Sequence, residues 1–371
     1  MVLALLAFLL LAAWLLFPRE LNPDRVVRFF RYMGLRDKES YGKISFEGGA
    51  GNVYAGFDDG ILLGTESGVT LYSLDGEQKA FIQGSLPSPI LRTGGGVSLC
   101  FSPGSSYAVS VGEGGATLMD EALSGSFVDA SVSVDGYVAY ITSESGYKSV
   151  ATVTNEKLEA IYRFSSRTRY LNACAVSEKG TYLVVASLEE QDSIYCSGIT
   201  ILHTDEPLTD LEQEGGSTVR TDLGNQVVYE LRFLDRTHFM AVAQNEIVFL
   251  NTEGERLNSI SLQGVQLLDY SLSEEGWMIL ALQQSGGGSK VLTLDAEGRT
   301  VSEREYPERV RSVSAAGNYC AVLTEKYLQT YDRKLKEYDR SEDVLAATRV
   351  IARSDGTALL IVSGGTKLFI P

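Results

Sequence analysis

The residues best suited to catalysis in this chain are its two histidines, and their positions form no catalytic or metal-binding pattern. A hydrolytic triad needs a general base, which is normally a histidine. His203 follows one apolar run and His238 precedes another, in separate repeats. With these histidines far apart and no Cys-x-x-Cys pair in the chain, no zinc motif is present. We therefore interpret both histidines as structural or surface residues.

The cysteines are the second candidate for chemistry. They are Cys100, Cys174, Cys196 and Cys320, and all lie in apolar, strand-like contexts. Only Cys174 and Cys196 share a repeat, where we place them in the first and third strands. Two strand spacings separate such residues by about 10 Å, which exceeds the reach of a disulfide. The sequence therefore predicts four buried free thiols.

Glycine clusters at residues 94–96, 114–115 and 286–288 are a third candidate, since glycine-rich loops bind phosphates. None of them precedes a helix that starts with Lys-Ser or Lys-Thr, so we interpret them as loops between strands. No Asp-x-Asp-x-Asp-Gly calcium loop is present, and residues 58–60 are better explained as a hairpin turn. These patterns predict no catalytic residue, no cofactor and no metal motif. A metal held by carboxylates of a central channel stays open as an alternative.

The charge balance excludes nucleic acid as a partner. Acidic residues outnumber basic ones by 48 to 32, which gives a formal net charge of −16. Phosphate backbones require a basic surface, and a chain this acidic would repel them. Solubility is the simplest explanation of the acidity, and an electrostatic role toward a cationic partner is the alternative.

The elements that must position any site come from a β-rich unit that recurs about every 40 residues. In each unit a turn of Ser, Asp and Gly joins two apolar runs, and a second polar turn follows the third run. First turns occupy residues 57–60, 101–104, 132–136, 176–180, 233–235, 273–276, 314–317 and 354–356. Second turns occupy residues 74–76, 251–254 and 295–298. A unit of this length with four strands is typical of a β-propeller blade.

The units number eight, which favours an eight-bladed ring over a seven-bladed one. They begin near Asn52, Val97, Val128, Leu171, Val227, Val265, Val310 and Thr348. The last unit ends after its third strand, at residues 367–370, and a spare strand precedes the first unit at residues 43–46. Adding the spare strand to the last blade would close the ring and satisfy an open sheet edge. We interpret the acidic residues 205–225, which lengthen the fourth unit, as an outer loop.

Residues 1–17 carry no charged or polar side chain and predict a transmembrane anchor. An apolar run of 17 residues is at the short end of what crosses a bilayer core as a helix. Its bulky side chains include Leu5, Phe8, Leu11, Trp14 and Phe17. Bulky residues at the end of the run favour an uncleaved anchor over the alternative, a signal peptide, and Trp14 suits a membrane interface.

Residues 18–40 predict a juxtamembrane amphipathic helix and a linker. Asn22 caps the helix, Pro23 occupies its first position, and Gly34 ends it. The apolar positions of this helix are Val26, Phe29, Phe30 and Met33. The basic positions of the segment are Arg19, Arg25, Arg28 and Arg31. The helix either lies among lipid headgroups or packs against the propeller, and the sequence leaves both interpretations open.

The arginines after the anchor bear on its orientation. Basic residues follow the apolar run and none precedes it, so the positive-inside rule, applied to the chain as it stands, keeps the propeller in the cytoplasm. An anchor that begins at residue 1 without flanking charge is better explained by the loss of a basic cytoplasmic tail. With such a tail restored, we expect the propeller outside the cytoplasm.

The apolar anchor, residues 22–34 and the degenerate repeats together resemble the domain-of-unknown-function family 5711 of bacterial membrane-anchored propellers. The resemblance covers nearly the whole chain and includes residues 86–89 between the first two units. It implies an extracytoplasmic propeller of undefined function, with no catalytic residues to carry over. The repeats are also similar in style to WD40 and quinoprotein propellers, but Trp14 and Trp277 are the only tryptophans, so the repeated tryptophans of those families are missing.

We therefore predict an all-β protein in three segments: a transmembrane anchor at residues 1–17, a juxtamembrane segment at residues 18–40 and a propeller at residues 41–371. The hypothesis for its function is a non-catalytic protein-interaction scaffold at the cell envelope, because propeller loops converge around one channel mouth. Its partners would be membrane lipid, through the N-terminal helix, and an envelope protein. The alternative is a propeller that binds a small ligand or a metal, as an enzyme or a sensor, through carboxylates of the central channel.

Overall fold

The described part of the chain folds into eight antiparallel sheets that form the blades of a propeller. The computed structural model describes residues 32–35, 42–191, 194–205, 218–344 and 346–371. Within these residues, seven sheets contain four strands and the eighth contains three, and strands follow chain order within every sheet. Neighbouring blades contact each other through their first strands around most of the ring, so these first strands surround the central channel. The predicted all-β, eight-bladed architecture is confirmed.

Blades 1 to 4 contain sixteen strands. They are β1 (Val53–Phe57), β2 (Gly60–Thr65), β3 (Gly68–Ser73), β4 (Gln78–Gln83), β5 (Ile90–Gly94), β6 (Val97–Phe101), β7 (Tyr107–Val111), β8 (Thr117–Ala122), β9 (Ser126–Val132), β10 (Val138–Ser143), β11 (Ser149–Thr154), β12 (Ala160–Ser166), β13 (Tyr170–Val176), β14 (Tyr182–Gln191), β15 (Ile194–His203) and β16 (Thr218–Asp222). Short 3-10 turns occupy Glu113–Gly115 and Glu178–Gly180.

Blades 5 to 8 contain the other fifteen named strands. They are β17 (Val228–Phe233), β18 (His238–Ala243), β19 (Glu246–Asn251), β20 (Arg256–Ser261), β21 (Gln266–Ser273), β22 (Trp277–Gln283), β23 (Ser289–Asp295), β24 (Thr300–Tyr306), β25 (Val310–Ala316), β26 (Tyr319–Thr324), β27 (Leu328–Asp332), β28 (Glu337–Ser341), β29 (Arg349–Ala352), β30 (Ala358–Val362) and β31 (Gly365–Phe369).

The strand connections define two faces of the ring. Turns from first to second strands and from third to fourth strands lie on one side, which we call the lower face. Turns from second to third strands and the segments between blades lie on the other side, which we call the upper face. This division follows from the up-and-down order of antiparallel strands in every blade.

Asparagine and aspartate side chains close the turns between third and fourth strands. In blade 3, Asn155 Oδ1 accepts hydrogen bonds from the N–H groups of Lys157 (3.0 Å) and Glu159 (2.9 Å). The same arrangement recurs at Asn251, Asp295 and Asp332. Such side chains bond to the backbone two or more residues ahead and thereby stabilise the turn. The polar second turn of the sequence repeat therefore has a direct structural cause.

The predicted closure of the ring by residues 43–46 is confirmed. Ser45 pairs with Gly365 of β31, next to a backbone hydrogen bond of 2.8 Å from the Thr366 N–H to the Ile44 carbonyl. The buried Thr366 Oγ1 accepts from the Ile44 N–H (3.1 Å) and donates to the Gly42 carbonyl (2.8 Å). An N-terminal segment thus completes the last blade, which removes the exposed edge that β31 would otherwise present.

Hydrogen bonds from small polar side chains connect the blades of this propeller. Serines of third strands accept hydrogen bonds of 2.9–3.0 Å from the first strand of the next blade, in the pairs Ser149–Leu171, Ser197–Val228 and Ser289–Val310. A tryptophan contributes at one blade junction, where Trp277 Nε1 donates to the Gly317 carbonyl at 2.9 Å. Polar contacts spread along the chain therefore add to the apolar packing between neighbouring blades.

The second blade corrects the sequence prediction. Its first strand begins at Ile90, and the turn at residues 102–106 joins the second and third strands on the upper face. We predicted a start near Val97 and a turn between first and second strands, which is wrong by one strand. The true first turn is Gly95-Gly96, with φ of 50° and 71°. Glycine is required because a Cβ on Gly95 would lie 2.2 Å from the Gly136 nitrogen.

The fourth blade gives a second correction. Residues 218–222 form its outer strand, β16, and pair with β15, so they do not belong to an outer loop. The run Thr218-Val219-Arg220-Thr221 is rich in β-branched residues, which favour strands, but the acidic residues around it obscured this signal. Residues 206–217 of the predicted loop lie outside the described residues.

The predicted anchor and most of the juxtamembrane segment lie outside the described residues. This applies to Leu5, Phe8, Leu11, Trp14, Phe17, Arg25, Arg28, Phe29, Phe30 and Arg31. Within the described part of the chain, no helix has the length and apolar character needed to span a bilayer.

Residues 32–35 form a helical turn that packs against the lower face of the propeller. The Tyr32 side chain is 1% exposed, and its hydroxyl donates to the Asp355 carbonyl at 2.6 Å and lies 3.3 Å from the Tyr338 hydroxyl. Met33, which we predicted on the apolar side of the helix, is 49% exposed. The helical turn also includes Gly34, so the predicted stop there is wrong; this glycine has a negative φ, which the helix accommodates.

Candidate functional site

Five of the eight first strands carry a β-bulge at the same place, and the bulge determines which side chains face the channel. The unpaired residues are Val128, Asn172, Tyr229, Leu268 and Arg311. The residues after them are Asp129, Ala173, Glu230, Asp269 and Ser312. A bulge re-aims the side chains that follow it and bends the strand. Three carboxylates are therefore placed at equivalent positions of blades 3, 5 and 6.

Five residues of four first strands form a polar group, here called the channel cluster: Arg92, Asp129, Glu230, Arg232 and Tyr270. Arg92 Nη2 lies 3.2 Å from Glu230 Oε1 and 4.0 Å from Asp129 Oδ1. Arg232 donates to the same Glu230 oxygen from Nε (2.9 Å) and Nη2 (2.7 Å), and the Tyr270 hydroxyl donates to Glu230 Oε2. The pair of Arg92 and Glu230 joins blades 2 and 5 across the channel.

The electrostatics of the channel cluster keep Glu230 ionised. Burial opposes its ionisation, but Arg232 and Arg92, with the Tyr270 hydroxyl, outweigh that effect and hold the pKa of Glu230 below its usual range. Burial raises the pKa of Tyr270, and the adjacent Glu230 raises it further. Burial also opposes the charge of Arg232, but Glu230 outweighs it and raises the pKa of Arg232. The cluster is thus organised around one carboxylate.

The other two channel carboxylates bind the backbone of the next blade. Asp129 Oδ2 accepts from the Cys174 N–H at 3.0 Å, and Asp269 Oδ2 accepts from the Val313 N–H at 2.9 Å. Burial raises the pKa of both carboxyls. Among the described residues, no three His, Cys, Asp or Glu side chains are close enough together to hold a metal ion. The channel carboxylates therefore connect blades.

The two histidines lie at strand ends with local partners, as predicted. His203 packs edge-on against the Tyr182 ring at 4.6 Å between ring centroids, and its Nδ1 lies 3.3 Å from Asp205 Oδ2. His238 Nδ1 lies 2.8 Å from Asp235 Oδ2 within a turn on the lower face. The two imidazole rings belong to blades 4 and 5 and contact different side chains.

The prediction of four buried free thiols is confirmed. Cys174 and Cys196 lie on the first and third strands of blade 4, as expected. Burial raises the pKa of Cys100 to about 12, and it also raises the pKa values of Cys174 and Cys320. A thiol with a raised pKa carries little thiolate at neutral pH, so these groups are poor nucleophiles in the folded chain.

We expect the native thiols to react with iodoacetamide at pH 8 only as fast as the protein opens. A Ser363→Cys variant, with the added thiol at an exposed turn, provides the positive control. Equal labelling rates for the native thiols and the Ser363→Cys control would contradict this expectation.

The Cys100 thiol also makes stability depend on pH. Because the folded pKa of Cys100 exceeds the unfolded value of about 8.5, this thiol stabilises the fold below that pH, and the contribution is lost as pH rises toward 12. A Cys100→Ala variant should therefore lose less stability than the wild type between about pH 8 and pH 10.

Tyrosines dominate the exposed apolar surface on one side of the ring. Tyr195 (66%), Tyr229 (60%) and Tyr170 (54%) are the three most exposed large hydrophobic residues of the described chain. All three lie on the upper face of blades 4 and 5. Ile194, next to Tyr195, is 47% exposed. We call these four residues the aromatic patch.

Local structure explains why the aromatic patch projects from the propeller. β14 and β15 have ten residues each, while other strands have four to eight, so their hairpin extends beyond the upper face with Ile194 and Tyr195 near its end. The bulge at Tyr229 turns its side chain out of the β17 pairing. Lys148 Nζ donates to the Tyr170 hydroxyl at 2.8 Å and lies 4.4 Å from the ring centroid, which holds that ring in place.

Sequence reasoning missed both the channel cluster and the aromatic patch. A signal for the cluster was present at residues 228–233, where Glu230 and Arg232 alternate with apolar residues in a predicted strand. That spacing places both charges on one face of the strand. The patch tyrosines had no such signal, because tyrosines occur throughout the repeats. All side chains that we predicted as site residues lie in the N-terminal segment outside the described residues.

Comparison with known proteins supports the family and the fold. A family model described as a family of unknown function (DUF5711) matches residues 34–363. In structure, the chain is similar to the β-propeller domain of Cps50 (Swd1) from Myceliophteria thermophila, with a TM-score of 0.51 and 10% identity over 76% of this chain and 95% of that one. It is also similar to apo AztD from Citrobacter koseri, with a TM-score of 0.50 and 13% identity over 78% of this chain and 85% of that one. No curated protein matches the sequence.

Proposed function

The chain belongs to the family of unknown function DUF5711, and we propose that it is a membrane-anchored, non-catalytic scaffold that binds a protein partner at the cell envelope. The observation that carries this proposal is the aromatic patch. Exposed tyrosines are enriched at the centres of protein interfaces, because they supply a large contact area and a hydroxyl at low cost in side-chain entropy. Three of them, the most exposed large hydrophobic residues of the described chain, lie on one face of two adjacent blades.

The position of residues 32–35 supports a specific arrangement at the membrane. Tyr32 enters the propeller at the lower face, beside Asp355. The apolar residues 1–17 precede this point, so an anchor formed by them would hold the lower face toward the bilayer. The aromatic patch lies on the opposite face and would point away from the membrane, toward other envelope proteins.

The channel supports a structural interpretation over the alternative of a ligand- or metal-binding propeller. Glu230 is bound by Arg92, Arg232 and Tyr270, and the other two channel carboxylates accept backbone hydrogen bonds from the next blade. A ligand that needed these carboxylates would have to break contacts between blades. The upper face carries exposed groups that need no such rearrangement.

In-membrane cross-linking followed by affinity purification and mass spectrometry tests the proposal. We compare the wild type with a Tyr195→Ser/Tyr229→Ser variant and with Val134→Ser, which removes an exposed apolar residue (41%) from the lower face. The double variant should lose at least about 90% of a specific envelope partner, because two interface tyrosines contribute about 1–2 kcal/mol each, and the Val134 control should retain it. Equal recovery with all three proteins, or recovery of the chain in the soluble fraction, would argue against the proposal.

A further inference from the structure

A pocket of about 340 Å³ opens on the upper face where blades 6, 7 and 8 meet. Its lining combines apolar residues with three charged ones and consists of Leu268, Arg309, Val310, Arg311, Glu325, Ala347 and Thr348. These residues belong to the first strands of blades 6 and 7, to the segments before β25 and β29, and to the turn after β26. The pocket is therefore built by convergent segments of three blades.

The pocket is locally basic in a strongly acidic chain. Arg309 and Arg311 face a single glutamate, Glu325, whereas the chain as a whole carries a net charge of −16. Within the described part of the chain, neither arginine forms an ion pair with a carboxylate. Arg311 Nη1 donates to the Ala347 carbonyl at 3.1 Å, which fixes its guanidinium across the pocket. Both side chains are exposed and keep donors available for a ligand.

The acidic residue next to Arg309 is occupied elsewhere. Glu308 Oε1 accepts from Lys326 Nζ at 3.0 Å, and its Oε2 accepts from the Tyr327 hydroxyl at 3.1 Å. The Lys326 contact is the main reason that the pKa of Glu308 is lowered. Glu308 is thus held by partners on its own blade and does not neutralise the pocket arginines.

We propose that this pocket binds a carboxylate of an acidic peptide segment, either a Glu or Asp side chain or a chain terminus, with an apolar neighbour beside it. The inference rests on the proposed scaffold function and names the chemistry of the partner. Guanidinium groups match carboxylates with paired hydrogen bonds, and Leu268, Val310 and Ala347 supply an apolar wall for the neighbouring side chain. The rest of this acidic chain repels an acidic segment, so the pocket is where the charges are complementary.

The experiment measures fluorescence polarisation with a dye-labelled peptide Gly-Ser-Gly-Val-Glu that has a free carboxyl terminus. The comparison peptide carries Gln in place of Glu and a terminal amide, and free glutarate serves as a competitor. The protein is the full chain in detergent, as wild type, Arg311→Ala, Arg309→Ala and Glu325→Gln. Arg236→Ala, which removes an arginine of the lower face with a 65% exposed side chain, is the matched control.

The acidic peptide should bind saturably and the amide peptide at least about tenfold more weakly. Arg311→Ala and Arg309→Ala should each weaken binding of the acidic peptide about tenfold, because each removes a charge-assisted hydrogen bond. Glu325→Gln should tighten binding of the acidic peptide about two- to threefold, because the substitution removes a negative charge that repels the peptide. Arg236→Ala should change nothing. Thermal melts of each variant confirm that the exposed substitutions leave the fold intact.

Three outcomes would overturn the inference: equal affinity for both peptides, no effect of either pocket arginine, or glutarate binding as tightly as the peptide. The last result would assign the pocket to a free small carboxylate. Failure here is distinct from failure of the scaffold proposal. If the peptide does not bind while a partner still depends on Tyr195 and Tyr229, only this inference falls; if the peptide binds and no partner depends on the tyrosines, the scaffold proposal loses its support.

Discussion

Replacing Arg232 by Met should lower the free energy of unfolding by about 3 kcal/mol. The change removes two hydrogen bonds to Glu230, of 2.9 and 2.7 Å, and leaves a largely buried carboxylate with only Arg92 and Tyr270 as partners. The Arg232 side chain is 19% exposed, so solvent compensates for little of the loss. Urea unfolding at pH 7, followed by tryptophan fluorescence, measures the effect.

A matched control separates this effect from the loss of any arginine. Arg236 lies in the turn after the same strand, has a 65% exposed side chain, and is 3.7 Å from Glu178, so Arg236→Met should change stability by less than about 0.5 kcal/mol. The double variant Glu230→Gln/Arg232→Met should be more stable than Arg232→Met alone, because it removes the buried negative charge that has lost Arg232 and leaves Arg92 beside Asp129, 4.0 Å away. If both arginine variants lose the same stability, the channel cluster has no special structural role.

The difference in unfolding free energy between the wild type and Arg232→Met should depend on pH in a defined direction. Arg232 helps to hold the folded pKa of Glu230 below its unfolded value of about 4.3. A lowered folded pKa gives stability that is present above the unfolded pKa and is lost as pH falls through the folded one. The stability gap between the wild type and Arg232→Met should therefore narrow as pH falls below about 4. A gap that widens toward acid would contradict the assignment of charges.

Replacing Trp277 by Ala should destabilise the protein by about 4 kcal/mol. Trp277 is fully buried between blades 6 and 7 and packs within a cluster that includes Val313 and Tyr331. Its Nε1 donates to the Gly317 carbonyl at 2.9 Å, and Ser273 Oγ donates to the same carbonyl at 2.8 Å. Loss of the ring leaves a cavity at a blade junction, which the neighbouring strands can fill only in part.

A Trp277→Phe variant distinguishes packing from hydrogen bonding. It keeps most of the aromatic volume, and Ser273 still satisfies the Gly317 carbonyl, so the loss should be only about 1–2 kcal/mol. Thermal unfolding by circular dichroism measures both variants, since fluorescence loses its main buried reporter. Similar melting temperatures for Trp277→Ala and the wild type would show that blade docking does not depend on this tryptophan.

Most of the architecture follows from local signals, which is why it could be predicted. Asn155 and its counterparts close turns within a few residues, and apolar runs on either side then become strands. Ring closure by residues 43–46 also follows, because a blade that lacks one strand can be completed by a spare strand elsewhere in the chain. The second blade was misplaced because its first turn is the pair Gly95-Gly96, which lacks the Ser and Asp of the other turns.

The candidate sites could not be predicted in the same way, since they depend on contacts distant in the sequence. Arg92 and Glu230 are 138 residues apart and meet only because blades 2 and 5 face each other across the channel. The two pocket arginines line a pocket only together with Leu268 and Ala347 of neighbouring blades. The exposure of Tyr195 depends on the length of the β14–β15 hairpin. The acidic residues around this hairpin made its length hard to predict from the sequence.

Site-specific photo-cross-linking tests the central claim, that the upper face binds a protein partner. A photoreactive phenylalanine analogue replaces Tyr195 on the upper face or Val134 on the lower face, and both full-length proteins are irradiated in native membranes. We predict a discrete covalent adduct of higher mass from position 195 and none from position 134. Adducts from both positions alike, from position 134 alone, or from neither would contradict a partner-binding role for the aromatic patch.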